Sequence, residues 1–303
     1  MANFISVIIP VYNDPEGLRD TLDSVSLQDY PKDSFEIIIA DNGSKEETII
    51  IADYFIKKFP KLIKIVIENR IRSSYAARNK GIEASKGSIV AFIDADMTVE
   101  NDWLKNIDKI FNSKQIDYMG CNVITSLKNR SIVSFYSCMN GFYVEKFLRN
   151  FHYSPTCCLT VKKDLFKKIG MFDPRIFSGG DNEFGRRSYE NGVKQYYHPE
   201  IVMYHPARKT LKDTIARSFR FGRGSYLKFF YYPKRCTYKY FKIFNPFIYL
   251  PAKPGNFIKY YKVTIFWNHL NVRQKILLYF IDWLNELAFI SGFSYEKFIK
   301  IFI

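Results

Sequence analysis

Apolar positions in the first hundred residues gather into four short runs. They are Phe4 to Pro10, Phe35 to Ala40, Ile63 to Ile67 and Ile89 to Ile93, the last within Gly87-Ser-Ile-Val-Ala-Phe-Ile-Asp-Ala-Asp-Met97. Runs of this length, β-branched and bounded by Gly, Pro or acids, read as buried strands. Between them the spacing changes to that of helices. Leu18, Leu22 and Val25 share one face of a helix that Asn13 or Asp14 caps, with Pro15 in its first turn and its end near Leu27. Ser44 and Glu47 have capping-box spacing and open a helix to about Phe59, and a third helix covers about Tyr75 to Ala84. Four strand-helix alternations predict an α/β domain with a mainly parallel sheet covered on both faces.

The polar exceptions in this half stand where strands end: Tyr12-Asn13, Asp41-Asn42, Arg70 to Arg78, and Asp94 with Asp96. Carboxyl ends of parallel strands share one edge, so these residues are expected in one crevice. Asp94 and Asp96 are two apart and point the same way if the backbone stays extended. Hard oxygen ligands of this kind suit Mg²⁺ or Mn²⁺ holding a diphosphate; helix capping and solvation explain such a pair equally simply. An aromatic ring (Tyr12), a carboxylate that accepts from a base N–H (Asp41), cations and an acidic pair together fit a nucleotide diphosphate. Neither a Gly-x-Gly-x-x-Gly turn nor a Walker sequence occurs, which disfavours a dinucleotide-binding fold and a P-loop NTPase.

Five segments resemble family 2 glycosyltransferases. They are Ser6-Val-Ile-Ile-Pro10-Val-Tyr12-Asn13, Asp41-Asn-Gly-Ser44, Tyr75-Ala-Ala-Arg78-Asn-Lys-Gly81, Phe92-Ile-Asp94-Ala-Asp96, and Ile169-Gly-Met-Phe-Asp173 followed by Gly179-Gly-Asp181-Asn-Glu183-Phe-Gly-Arg-Arg187. The resemblance covers roughly 4–205, with the motifs in order. It implies the GT-A fold, a Rossmann-like mixed sheet with helices on both faces, and inverting transfer from a nucleotide-diphosphate sugar, a UDP-sugar first among them. On that basis Pro10, Tyr12, Asn13, Asp41, Arg78, Asp94 and Asp96 bind the nucleotide sugar, and Asp96 is the better metal ligand. Asp94 contacts ribose or sugar, or shares the metal, and His205 completes the metal site. Asp181 takes the position of the general base, and Glu183 orients the acceptor or Arg186. This chain has Gly180 before Asp181 where the family often has Glu. Residues 115–160, with strands expected at Gln115 to Ile124 and Pro155 to Val161, shape the acceptor pocket in the family. The acceptor class implied is a glycan or a lipid-linked sugar.

Beyond this region Arg217 and Arg220 lie three apart on a helix begun near Thr210. They suit a diphosphate or lipid-phosphate clamp, or a solvated basic face. The chain carries a formal net charge of +15 over 303 residues, and its surplus is uneven. Residues 228–303 hold 12 Lys/Arg, 3 Asp/Glu and 23 aromatics, as in Tyr238-Lys-Tyr-Phe-Lys242 and Tyr260-Tyr-Lys262. Rings beside cations suit an anionic membrane surface, and the same pattern suits a helical subdomain packing on the catalytic domain. Ile276 to Ser291 reads as an amphipathic helix with Lys275, Tyr279, Asp282 and Glu286 in one polar stripe. Its interior charge disfavours a spanning helix. The expected division is a catalytic domain over 1–225, with a nucleotide-sugar half to about 97 and an acceptor half after it, and a helical region over 226–303.

Five cysteines without Cys-x-x-Cys spacing read as reduced thiols, and the N-terminus lacks a signal-peptide pattern, so the cytoplasm or the inner face of a membrane is the expected location. A basic, aromatic-rich nucleic-acid binder and an inactive glycosyltransferase-like scaffold are the rivals. No RNP, zinc-finger or helix-turn-helix signature appears, so nucleic acid is not an expected partner. Retention of Asp96 and Asp181 argues against the scaffold.

Overall fold

The computed structural model describes residues 2–127, 129–235 and 245–302; Cys236 and the Tyr238 to Lys242 segment lie outside the described residues. The first alternations are β1 (Ile5–Val11), α1 (Pro15–Ser26), β2 (Phe35–Asp41), α2 (Glu46–Lys58), β3 (Ile63–Ile67), α3 (Ser74–Ala84) and β4 (Ile89–Phe92). These match the expected elements to within one or two residues. Every residue of β1, β2 and β4 is buried, and since side chains alternate between faces, both faces of these strands are covered. Asp14, not Asn13, caps α1, accepting from the Gly17 N–H at 2.9 Å. The capping box expected at Ser44 does not form. α2 starts one residue later, behind Lys45, because the Ser44 hydroxyl accepts from the Asn13 N–H at 2.9 Å instead.

The chain continues through β5 (Thr98–Val99), α4 (Trp103–Ser113), β6 (Tyr118–Ser126), α5 (Ile132–Met139), α6 (Val144–Phe151), β7 (Leu159–Lys162), α7 (Asp164–Ile169), α8 (Gly180–Glu190) and β8 (Gln195–Pro206). The sheet has eight strands in the order β3-β2-β1-β4-β7-β6-β8-β5. It is parallel from β3 to β4, while the β4–β7, β7–β6 and β8–β5 pairings are antiparallel. Pro155 to Val161 is a strand only from Leu159, since Thr156–Cys158 form a single 3-10 turn. Cys121, Cys138, Cys157 and Cys158 are free thiols.

Two compact units result. One comprises 1–124 and 142–205 and contains the main core; the other comprises 125–141 and 206–303. In the second, α5, α9 (Leu211–Tyr231), α10 (Pro254–Tyr261) and α11 (Val272–Phe302) enclose a core of Tyr136, Met139, Phe257, Tyr261, Trp267, Leu270, Leu278 and Ile281. Helices α9 and α11 touch through their backbones: a Cβ on Gly222 would lie 1.9 Å from the Phe289 carbonyl oxygen, and one on Gly292 would lie 2.0 Å from that of Phe219. Arg223 Nε donates to Glu296 and Ser218 Oγ to Asn285, each at 2.7 Å, beside the crossing.

The polar stripe expected on α11 faces solvent only in part: Glu286 is exposed, while Lys275, Tyr279 and Asp282 are half-buried. Asp282 turns inward to accept from the hydroxyls of Tyr261 at 2.6 Å and Tyr136 at 3.2 Å, and Tyr279 donates to the Ala252 carbonyl. Val272, Ile276, Leu277, Phe280 and Leu284 are exposed as well. Val272–Ile301 is also long and apolar enough to cross a membrane by length and composition, with a third of its most apolar window buried. A core helix meets the same test, and packing on α9 accounts for the buried part.

The glycine crossing generates a prediction. Gly292→Ala forces the α9 and α11 backbones apart and should cost about 3 kcal/mol or more, since overpacking here meets main chain rather than a flexible tip. A melting temperature unchanged from the parent protein, with the second unit still protease-resistant, would contradict that close approach.

Candidate active site

The Asp94-Ala-Asp96 segment leaves β4 and turns at once, the Met97 N–H donating to the Asp94 carbonyl at 3.1 Å. Because the backbone is not extended, the two carboxylates do not act as one side-by-side pair. Each has its own partner. The turn is held from α1, where Thr21 Oγ1 donates to the Met97 carbonyl at 2.7 Å. Gly17 lies so close to Ala95 that a Cβ there would approach the Ala95 carbonyl oxygen to 2.4 Å.

Asp94 pairs with Arg78, whose side chain from α3 is only 4% exposed. Arg78 therefore does not lie on a solvated helix face, and its charge is answered by Asp94. Its guanidinium also lies 5.5 Å from the Tyr75 ring centroid. Asp96 faces His205, with 3.5 Å between Oδ2 and Nε2. The antiparallel register explains this meeting. Thr98 stands opposite Tyr204, so one further step sets Met97 against His205 and brings Asp96 alongside. The separation is long for a hydrogen bond and near the ~3 Å expected of neighbouring ligands on a small divalent ion. Carboxylate plus imidazole is a donor set that suits Mn²⁺. No cluster of three or more metal-binding side chains occurs among the described residues, so a bound ion would take its remaining ligands from substrate and water.

The β1 and β2 ends meet in a second cluster. Asp41 is buried and accepts from the backbone N–H groups of Gly43 at 2.9 Å and Ser44 at 3.1 Å. Asn13 adopts a left-handed conformation, φ 52°, and its side chain accepts from the Lys45 N–H at 2.8 Å. Pro10 is buried within β1. Tyr12 is 45% exposed beside them, with the Arg72 guanidinium 5.3 Å from its ring centroid. An exposed ring is available for stacking, as a ring in the core would not be.

Asp181 sits in the first turn of α8, after Gly179 in a left-handed conformation, φ 82°. Its Oδ1 accepts from the Asn182 N–H at 2.8 Å and from the Tyr75 hydroxyl at 3.3 Å. Gly180 has a reason: a Cβ there would lie 2.8 Å from the Tyr75 ring, so the larger residue common in the family would collide with it. Glu183 is buried in a two-point pair with Arg187, at 2.9 and 2.8 Å. Arg187 also donates to the carbonyls of Ile169, Gly170 and Met171, tying α8 to the loop before it. Arg186 is half-buried on α8, and Arg217 and Arg220 belong to α9 of the second unit, Arg217 lying over Phe221.

Two positioning residues escaped the sequence reading although both lie inside its motifs. Asn79 donates to the Phe172 carbonyl at 2.8 Å and accepts from the Phe172 N–H at 3.1 Å, joining α3 to the segment before Asp181. Asn42 donates to the carbonyls of Glu68 at 2.8 Å and Ile71 at 2.9 Å, shaping the loop that carries Arg72. An asparagine beside an acid at a strand end was the available signal; its partners lie too far along the chain to be read.

Residues 6–170 match the profile described as glycosyl transferase family 2. The glycosyltransferase AglE of Haloferax volcanii is 33% identical over 222 residues, covering 73% of this chain and 72% of that protein. This chain belongs to glycosyltransferase family 2. A second relative of this glycosyltransferase, 26% identical and covering 73% of this chain and 72% of its own length, is a Methanococcus voltae enzyme. Its name is dolichyl N-acetyl-alpha-D-glucosaminyl phosphate 3-beta-D-2,3-diacetamido-2,3-dideoxy-beta-D-glucuronosyltransferase. Among solved structures, mannosyltransferase PcManGT from Pyrobaculum calidifontis, in complex with GDP-Man and Mn²⁺, aligns with TM-score 0.64 at 18% identity, over 99% of this chain and 88% of its own. Residues 1–349 of S. aureus TarS in complex with UDP-GlcNAc align with TM-score 0.56 at 16% identity, over 97% and 91%. These likenesses show that the family 2 chain has the GT-A fold.

Asn42 supplies a prediction for this glycosyltransferase. Asn42→Ala leaves two loop carbonyls without their donor and should cost about 1–3 kcal/mol. Thermal unfolding with limited proteolysis across 68–73 checks it; equal stability and equal cleavage would show that the loop is held by other means.

Proposed function

We propose that this chain transfers a sugar, with inversion, from a nucleoside-diphosphate donor to a glycan or lipid-linked acceptor. The observation that carries this reading is the pairing of Asp96 with His205 across the β5–β8 register, in one unit with an acid, Asp181, that Tyr75 holds. UDP and GDP sugars are the donor classes to test first, since two neighbours of the same fold bind GDP-Man and UDP-GlcNAc. The lipid-linked acceptor is supported by the dolichyl phosphate named in the Methanococcus voltae relative.

Mn²⁺ or Mg²⁺ held by Asp96 and His205 would neutralise the leaving diphosphate. Asp94 shares that end of the site from its pair with Arg78, where it accepts from ribose or sugar hydroxyls. Tyr12 stacks on the base and Asp41 accepts from its N–H. Asp41 orders the 42–44 turn with the same carboxylate, so the base meets a preorganised acceptor. At the other end Asp181 takes the proton of the attacking hydroxyl. A carboxylate is a weak base in water, but proton transfer late in the displacement needs position first. Glu183 contributes indirectly, through the Arg187 pair that fixes α8.

The second unit is the membrane-facing part of this reading. Exposed Val263, Ile265, Val272, Ile276 and Phe280 stand among Lys253, Lys259, Lys262 and Arg273, also exposed. A soluble surface seldom shows so much apolar area, and cations beside it match an anionic bilayer at the inner face of a cell membrane. Arg217 and Arg220 then serve a lipid phosphate.

Two measurements test the proposal. Calorimetry should show UDP or GDP binding with Mn²⁺ and losing it with EDTA. Asp96→Ala should abolish the metal-dependent part, while Asp181→Asn keeps binding but lowers turnover by about 10²-fold or more. Binding equal in all conditions would refute the metal assignment. For the surface, sedimentation with phosphatidylserine vesicles should fall about tenfold or more in Ile276→Glu/Phe280→Glu, as two buried apolar side chains are worth ~3 kcal/mol or more. Undiminished sedimentation would refute the membrane-facing role.

A further inference from the structure

Tyr75 is 4% exposed, yet its hydroxyl meets Asp181 twice. It donates to Oδ1 at 3.3 Å and accepts from the Asp181 N–H at 3.2 Å. Its ring lies against Phe172, 5.5 Å between centroids, and fills the space above Gly180. Phe172 is itself clamped by Asn79, one helical turn beyond Tyr75 on α3. Neither the ring nor the hydroxyl has room to turn away.

We infer that Tyr75 is a positioning residue for the base, setting both the direction of the Asp181 carboxylate and its readiness to accept a proton. The proposal rests on the reading of Asp181 as the base. An O–H donated to a carboxylate favours its charged form, so the Tyr75 hydroxyl favours the ionised Asp181 that a base requires. Burial and the Asp181 charge both push the Tyr75 phenol well above its ordinary range, so it stays a proton donor throughout the working pH. Other charged or titratable groups face the pair among the described residues. Arg78 and Asp94 act on the phenol from the donor side, and Tyr118 from β6 senses Asp181. Glu183 and Arg186 share α8 with the base.

The arrangement also connects the two ends of the site. Asp94 holds Arg78, Arg78 lies against the Tyr75 ring, and Tyr75 holds Asp181. A donor that engages Asp94 therefore acts on the same three-residue series that aims the base. Gly180 is part of the device, because any side chain there would displace the ring.

The test uses the full chain with whichever of UDP-GlcNAc and GDP-Man it turns over in the presence of Mn²⁺, release of free nucleotide being the assay. Tyr75→Phe keeps the ring and removes the hydroxyl. It should lower kcat about tenfold, leave donor KM within twofold, and raise the acid limb of the kcat profile by about one pH unit. Gly180→Ala, which crowds the ring by a different route, should move the limb the same way. Direct ¹³C titration of Asp181 supplies a readout independent of turnover: its midpoint should rise in Tyr75→Phe. An unmoved Asp181 titration and an unmoved acid limb would overturn the Tyr75 proposal. Full turnover in Asp181→Asn would overturn the base assignment instead, and an Asp181 midpoint that still rises in Tyr75→Phe would then locate the failure in that assignment.

Discussion

A guanidinium buried inside a protein has to be neutralised where it stands, and the Arg78–Asp94 pair is the constraint on which the rest of the site depends. Arg78 comes from α3 and Asp94 from the turn after β4, so their pairing sets the distance between a helix and a strand end. Once that distance is set, Thr21 and Gly17 close the other side of the turn, and Asp96 is left facing β8 and His205. Breaking one partner of such a pair leaves an uncompensated charge, which is costlier than the pair is stabilising. The pair therefore specifies geometry more than it adds stability.

The same helix serves the far end. Within α3, Tyr75, Arg78 and Asn79 reach Asp181, Asp94 and Phe172, the first of them 106 residues along the chain from its partner. Ala76 and Ala77 keep the helix close to the sheet, and Gly81 permits contact with Ile8 of β1. A short helix with small residues on its sheet side and three polar or aromatic groups on the other spaces the Asp94 turn from Asp181. Its motif is thus a set of distances as much as a set of ligands.

The second unit is built on different terms. Its helices meet by backbone contact at Gly222 and Gly292 and bury a polar knot of Asp282, Tyr136, Tyr261 and Asn140, while leaving apolar residues outside. Burial raises the Asp282 carboxyl above its usual range, and the two tyrosine hydroxyls offset part of that by donating to it. The knot lies beside an apolar core of Met139, Phe257, Leu278 and Ile281, and further apolar side chains of α11 remain exposed. Those exposed apolar side chains connect the fold to the proposed membrane-facing role.

Much was legible in the chain before any coordinates. Periodicity is local, so the first four strands and the helices between them, Leu18, Leu22 and Val25 on the buried face of α1, and the gathering of polar residues at strand ends followed from sequence alone. Membership of the glycosyltransferase family followed from the order of five motifs. What the tertiary structure decided was every long-range choice. The partner of Asp96 depends on an antiparallel register between residues 98 and 204, which no local pattern encodes. The reason for Gly180 is a ring from residue 75, and the orientation of α11 is set by tyrosines on α5 and α10 that draw Asp282 inward. Propensity and hydrophobic period act over a few residues, whereas these contacts join segments brought together only when the sheet and the helix crossing have closed.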